Sequence, residues 1–252
     1  MILHTYKKWR VSGASVIGTS HTKSKTVCQD AWAAYRTQTV LSVCVCDGAG
    51  SAMFSDEGAT LVSKFLTQLF ADKFKFAFYR PKKFVRLAFS IAKNKLRKIA
   101  AGRSLREFAC TVVLAAIHAD GRWLTLHLGD GGIIARFDEN KFRVISPPLK
   151  GEFANETVFI TSFGASRCVN INRSGIRAKN LTGLALFSDG LERILYNHQT
   201  YEVALAVENM MTWQDKADEQ RISGAIKQNI TEVFRQKTDD DCSLIITTRK
   251  IL

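Results

Sequence analysis

Three aspartates share one local setting. VLSVCVC runs into Asp47-Gly48, LTLHLG into Asp130-Gly131 and LALFS into Asp189-Gly190, so each time an apolar strand-like segment ends directly on Asp-Gly. Asp239, Asp240 and Asp241 lead instead into the apolar run CSLIITT, and Asp30, within Cys28-Gln29-Asp30, leads into AWAAY. A single Asp-Gly reads as a turn, because glycine accepts positive φ and aspartate tolerates it. The set reads differently. Asp47 and Asp189 are followed by helical patterns, which a two-residue hairpin does not explain. Only Asp130-Gly131-Gly132, between LTLHL and IIARF, is expected to be a true hairpin. Carboxylates at strand ends sit on the rigid edge of a sheet, and Mg²⁺ and Mn²⁺ are hard cations that take oxygen ligands. Carboxylates around two ions roughly 3.5–4 Å apart would lower the pKa of a bridging water and neutralise a phosphoryl group under in-line attack. The chemistry expected is metal-assisted hydrolysis of a phosphate ester.

The elements that must position these residues are mostly strands. Runs rich in β-branched and aromatic residues, punctuated by Gly, Asn, Asp or Pro, predict strands over about 10–18, 31–36, 40–46, 109–118, 122–128, 132–137, 142–146, 157–161, 183–188 and 242–249. Ser55 can cap a first helix with Asp56 and Glu57 in its first turn and an apolar stripe through Ala59, Val62, Leu66, Leu69 and Phe70. Pro81 opens a second, with Phe84, Leu87, Ala88 and Ile91 on one side. A third helical region covers about 199–235, broken near Thr212–Asp215. Strands joined by hairpin-length links, with helices grouped between them, predict an antiparallel α+β domain over a doubly wound parallel sheet.

The composition sets limits on the rest. A chain of 252 residues that is 46% hydrophobic can bury a sizeable core, and the absence of repeats and linkers predicts one domain over 1–252. No apolar run approaches the roughly 20 residues that cross a bilayer, and the first residues, MILHTYKKWR, lack the pattern of a signal peptide. The six cysteines are scattered without a C-x-x-C pair, against a zinc ribbon or a disulfide scaffold, and a reducing cytoplasm is expected. The net charge of +13 is concentrated: from Lys73 to Arg106 there are twelve Lys or Arg and no acid. That segment reads as a solvated helix face or as a docking surface for an acidic partner. Nucleic acid is not expected, since Phe84 and Phe89 are accounted for by core periodicity.

The ordered set CQDAW, CVCDGAGSA, ACTVVLAAI, LHLGDGG, LFSDGLER and TDDDCSLII resembles the metal-dependent protein phosphatases of type 2C, in particular their compact bacterial members, from about Gly13 to Thr248. The resemblance implies a four-layer α/β/β/α sandwich of two antiparallel sheets flanked by helix pairs, acting as a monomer. It implies two Mn²⁺ or Mg²⁺ ions, and hydrolysis of phosphoserine or phosphothreonine by direct attack of metal-activated water on a phosphorylated protein made by a cognate kinase. Asp47 matches the aspartate that bridges both metals, and Gly48 the glycine whose carbonyl binds one of them. Asp189 and Asp240 match further ligands. Asp30 matches an acid that orients water from behind the ligands, and Asp130 the aspartate that, with Asp189, can hold a weaker third ion. The stretch over about 150–174 matches a variable flap.

Three departures from the family pattern stand out. Lys25 occupies the place of a phosphate-gripping basic residue and offers a point charge rather than a fork. Ala49 stands where some members carry a histidine proposed as general acid. Gln29 replaces a usual Glu. His21 could donate to a substrate phosphate or be a solvated loop histidine. His127 is expected to be structural, Cys44 and Cys46 to be core, and Ser51 lacks the elbow of a nucleophile. A catalytically weak phosphoprotein-binding module of the same fold is the alternative, and a metal nuclease is a third reading.

Overall fold

The computed structural model describes residues 9–138, 141–147, 157–175 and 180–249. Within them, ten strands form two antiparallel sheets of five. The first orders β1 (Trp9–Val16), β10 (Cys242–Arg249), β9 (Leu181–Phe187), β6 (Gly132–Phe137) and β7 (Lys141–Ser146). The second orders β2 (Ala31–Arg36), β3 (Val40–Cys46), β4 (Val112–His118), β5 (Trp123–Leu128) and β8 (Asn170–Arg173).

The period of two along each strand assigns the faces. Val43 and Val45 of β3, with Val113 and Ala115 of β4, point into the sandwich and meet Ile133, Leu184, Leu186 and Ile245 of the facing sheet. The alternate residues Cys44, Cys46, Leu114 and Leu126 point outward, where they pack under Leu66 and Phe70 of α2 (Ser55–Asp72) and Phe84 and Leu96 of α4 (Pro81–Ala100). A short helix, α3 (Phe74–Tyr79), joins that layer. On the opposite side, Ile134, Ala185, Leu244 and Ile246 lie under Val207 and Met211 of α6 (Leu205–Lys216) and Ile222 and Ile226 of α7 (Glu219–Glu232). The architecture is the four-layer α/β/β/α sandwich. Helices on both outer faces leave the central strands buried on both sides, hence their unbroken apolar runs.

One buried charge ties these layers together. Arg136, 3% exposed, forks onto Asp215 of α6 through Nη1–Oδ2 at 2.8 Å and Nη2–Oδ1 at 3.1 Å, while its Nε donates to Thr182 Oγ1 at 3.1 Å. A planar guanidinium held by two parallel bonds fixes the angle of α6 on the sheet as well as its distance.

Several expectations need correction. Asp130-Gly131 is not a hairpin: β5 pairs with β4 and β8, whereas β6 pairs with β7 and β9, so the turn crosses between the sheets. Burial of both flanking strands hid this, since a hairpin and a sheet-to-sheet crossing share the same local turn chemistry. Residues 157–161 hold no strand; the backbone there is irregular, with Ile160 N–H donating to the Cys110 carbonyl at 2.8 Å. Instead Asn170–Arg173, too polar to read as a strand, pairs with β5 as the edge strand β8. Ser55 is the first helical residue rather than the cap, a position held by Phe54. The break in the last helical region falls at Ala217–Asp218, where Asp218 caps α7 by accepting from Arg221 N–H at 2.8 Å. The helices α1 (Thr19–Ser24), α3 and α5 (Glu192–Leu195) are too short to show a periodicity. Of the stretch over about 150–174, residues 150–156 lie outside the described residues.

Candidate metal centre

Strand register brings the acids to one edge of the sandwich. Ala31 pairs with Cys46, so Asp30 and Asp47 leave β2 and β3 side by side. Phe187 pairs with Leu244, so Asp189, just past β9, faces the start of β10, where Asp240 and Asp241 lie. Val112 pairs with Leu128, which puts Asp130 at the same edge. Carboxylate oxygens of Asp47, Asp130 and Asp189 all lie within 4.8 Å of one another. Those three aspartates, with His21, Gln29, Gly48, Asp240 and Asp241 among the other lining residues, surround a pocket of about 220 Å³.

Each acid is fixed locally. Asp47 N–H donates to Thr111 Oγ1 at 3.0 Å, and Asp47 carbonyl accepts from Thr111 N–H at 2.8 Å. The ring of His127 pins the crossing turn, its Nε2 lying 3.0 Å from the Asp130 carbonyl and its Nδ1 2.9 Å from Ser146 Oγ. His127 is fully buried and structural, as expected. The turn also needs Gly131, whose φ of 84° falls in the left-handed region and whose Cβ would lie 2.4 Å from the Phe187 carbonyl. Thr157 donates its hydroxyl to Asp130 Oδ2 at 2.7 Å. Asp241 is a bracket: its buried carboxylate accepts from Gly18 N–H and Gln29 N–H, both at 2.6 Å, and lies 3.0 Å from His21 Nδ1.

The electrostatics follow from crowding. Burial and the neighbouring charges of Asp30, Asp189 and Asp130 push the Asp47 carboxyl well above its ordinary range. Burial, opposed by a hydrogen bond within the Asp47–Asp189 pair, takes Asp189 to about 6. Burial raises Asp30 to about 8 against the bond donated by Ser188 Oγ at 2.6 Å, with the Asp241 charge adding to the rise. Burial also raises Asp240. Like charges gathered out of water are costly unless a cation joins them. An all-oxygen donor set of three mutually close carboxylates is what a hard divalent cation requires, so the residues present fit such an ion.

The structure gathers Asp47, Asp130, Asp189, Asp240, Gly48 and His21 around one pocket, with Asp30 buried behind it on Ser188. It does not bring Lys25 there: that residue caps α1 at φ 58°, exposed and outside the lining. Asp130 stands in the tight group with Asp47 and Asp189, whereas Asp240 lines the pocket without joining that group. Four contributors were not singled out from sequence: Thr157, Ser188, the bracketing role of Asp241, and Glu192. Burial, aided by the charges of Asp189 and Asp130, raises Glu192 to about 7. Its place three residues after Asp189, on one helical turn, was the signal available. Ala49 packs with Ala52, Ala109 and Phe159, leaving no proton donor at that position.

Comparison with known proteins gives a consistent result. A family profile described as Protein phosphatase 2C matches residues 17–233. Serine/threonine-protein phosphatase 3 of Escherichia coli (strain K12) is 31% identical over 199 residues, which is 75% of this chain and 76% of that protein. Among solved structures, the S. agalactiae serine/threonine phosphatase superposes with a TM-score of 0.69 at 13% identity, covering 96% of this chain and all 100% of the other. Serine/threonine phosphatase Stp1 from Staphylococcus aureus gives 0.65 at 14% identity, covering 100% of this chain and 99% of that one. At such identities the two structures speak to the fold alone.

Proposed function

The chain belongs to the protein phosphatase 2C family, and we infer from that membership and from its pocket that it is a metal-dependent protein serine/threonine phosphatase. The observation that carries the reading is the convergence of Asp47, Asp130 and Asp189, from three separate elements, to within 4.8 Å.

We propose that Asp47, Asp189, Asp240 and the Gly48 carbonyl would hold two Mn²⁺ or Mg²⁺ ions, and that Asp130 with Asp189 would hold a weaker third. Such ions, when bound, polarise the phosphoryl oxygens and make water a competent nucleophile near neutral pH. The chain's own residues supply position. Asp30, locked by Ser188, accepts a proton from behind the cluster. His21, beside Asp241 and facing the pocket, donates to the phosphate of a phosphoserine or phosphothreonine. Lys25 stays at the periphery, and Ala49 leaves the leaving-group proton to solvent. This reading needs no covalent intermediate on the protein. Among the described residues no helix is long and apolar enough to cross a membrane, and all six cysteines are free, which supports a reducing, cytoplasmic setting.

Release of phosphate from phosphoserine and phosphothreonine peptides is expected in Mn²⁺ and its loss in EDTA. Tight binding of those peptides with no turnover in saturating Mn²⁺ would favour the non-catalytic module instead.

A pH effect follows from the raised carboxyls. In the folded, metal-free chain Asp189 titrates at about 6, Glu192 at about 7 and Asp30 at about 8, all above their ordinary values of 3.8 to 4.5. Between those limits the folded state binds more protons than the unfolded, so stability is highest at low pH and is lost as pH rises from about 4 through about 8. The melting temperature in EDTA is expected to fall by about 3 °C or more from pH 5 to pH 8. Divalent metal reverses the trend, so its stabilisation grows with pH. A metal-free melting temperature that climbs over this interval would contradict the crowding described.

A further inference from the structure

The carboxylate pocket does not end at the metal ligands. Through Ala49, Thr157 and Phe159 it opens into a groove of about 1100 Å³ between α4 and the 157–163 segment. Lys93, Arg97 and Arg106 line that groove. A smaller cleft of about 230 Å³, lined by Arg86, Lys93, Arg97 and residues 164–166, shares two of those cations and extends the path. Four cations therefore line the groove and the cleft that adjoins it. The acid in the lining is Glu107, and its Oε2 is already engaged by Met53 N–H at 2.9 Å.

The basic segment is not uniform in how it uses its charge. Arg103 stacks 4.1 Å above the Phe54 ring and donates to the carbonyls of Ala100 and Ile99, which end α4. Lys95 lies over Phe65. Lys93 Nζ donates to the Ser162 carbonyl at 2.7 Å, which ties the groove's two walls together. Arg86, Arg97 and Arg106 are exposed and make no salt bridge among the described residues. Arg97 Nη1 donates to the neutral Asn94 Oδ1 at 2.6 Å, which leaves its charge uncompensated. A row of guanidinium groups without a carboxylate partner, beside a phosphoryl-binding pocket, favours anionic side chains, since the planar fork matches carboxylate and phosphate alike.

We propose that this groove selects phosphoprotein segments carrying a second anionic side chain, carboxylate or phosphate, within a few residues of the phosphoresidue. The proposal rests on the phosphatase reading above and adds substrate choice to it. Exposed pairs of this kind contribute modestly each and are screened by salt, so a preference of about three- to tenfold in kcat/KM is expected at low ionic strength, shrinking as salt is added.

The test compares p-nitrophenyl phosphate, a phosphopeptide with neutral flanks, the same peptide with glutamates on either flank, and one with a second phosphoserine. Wild-type protein and an Arg97→Gln, Arg106→Gln double variant are assayed in Mn²⁺, with thermal melts to establish folding. A preference for the anionic peptides that collapses towards unity in the variant supports the groove, and the two anionic sets separate carboxylate from phosphate. Hydrolysis of p-nitrophenyl phosphate and of all peptides at equal kcat/KM overturns the groove while the phosphatase reading stands. Turnover of none of them overturns both.

Discussion

Asp47→Asn is expected to lower kcat/KM on phosphopeptides by about a thousandfold or more, an effect on the scale of the several kcal/mol that metal ions supply to developing charge. Asparagine keeps the shape and removes the one charge placed between neighbours on both sides. The same change should not damage the fold. Asp47 is anchored by its backbone, through Thr111, and its carboxyl is the most crowded by like charge. The melting temperature of the variant in EDTA should therefore match or exceed that of the parent, while the rise on adding Mn²⁺ should largely disappear. The pair of readings separates loss of a ligand from loss of structure. Activity within tenfold of the parent would sink the assignment of Asp47.

Gly190→Ala is expected to cost about 2–4 kcal/mol of stability, or about 5–15 °C in melting temperature. A Cβ at Gly190 would sit 2.2 Å from the Asp241 carbonyl oxygen, with the Asp241 carbon and Cys242 Sγ at 3.2 Å. The obstruction is backbone at the start of β10, so no rotamer change relieves it. Because the clash pushes Asp189 away from Asp240 and Asp241, metal affinity should fall with stability. Gly224→Ala serves as the control: it lies in α7 with nothing within 4 Å of its Cβ, and alanine there should be neutral or slightly stabilising. A Gly190→Ala protein melting within about 2 °C of the parent would mean that the two strand ends are free to separate.

Much of the fold was legible because the pattern carrying it is local. The β-branched apolar run VLSVCVC, the apolar stripe of α2 and Pro81 at the start of α4 are each decided over a few residues, and the structure places those elements within a residue or two of expectation. The strand-end aspartates were legible for the same reason, since Asp-Gly after an apolar run is a local signal. What no local signal could supply was pairing. The turn at Asp130 has the chemistry of a hairpin, yet it crosses between sheets: β6 ladders with β7 and β9, while β5 ladders with β4 and β8. The edge strand Asn170–Arg173 exists because β5 offers it a ladder rather than through any propensity of its own.

The site divides along the same line. Residue type and order alone indicated that Asp47, Asp189 and Asp240 could act as oxygen donors, and that Ala49 could not donate a proton. Only the tertiary structure decided that Asp130 joins Asp47 and Asp189 as a close neighbour, that Asp241 serves as a bracket for two backbone amides, and that Lys25 stays outside. The physical reason is register. A one-residue shift in an antiparallel pair would turn every side chain to the opposite face, so the distances among these carboxylates are properties of ten strands packed as two sheets, and no segment holds them by itself.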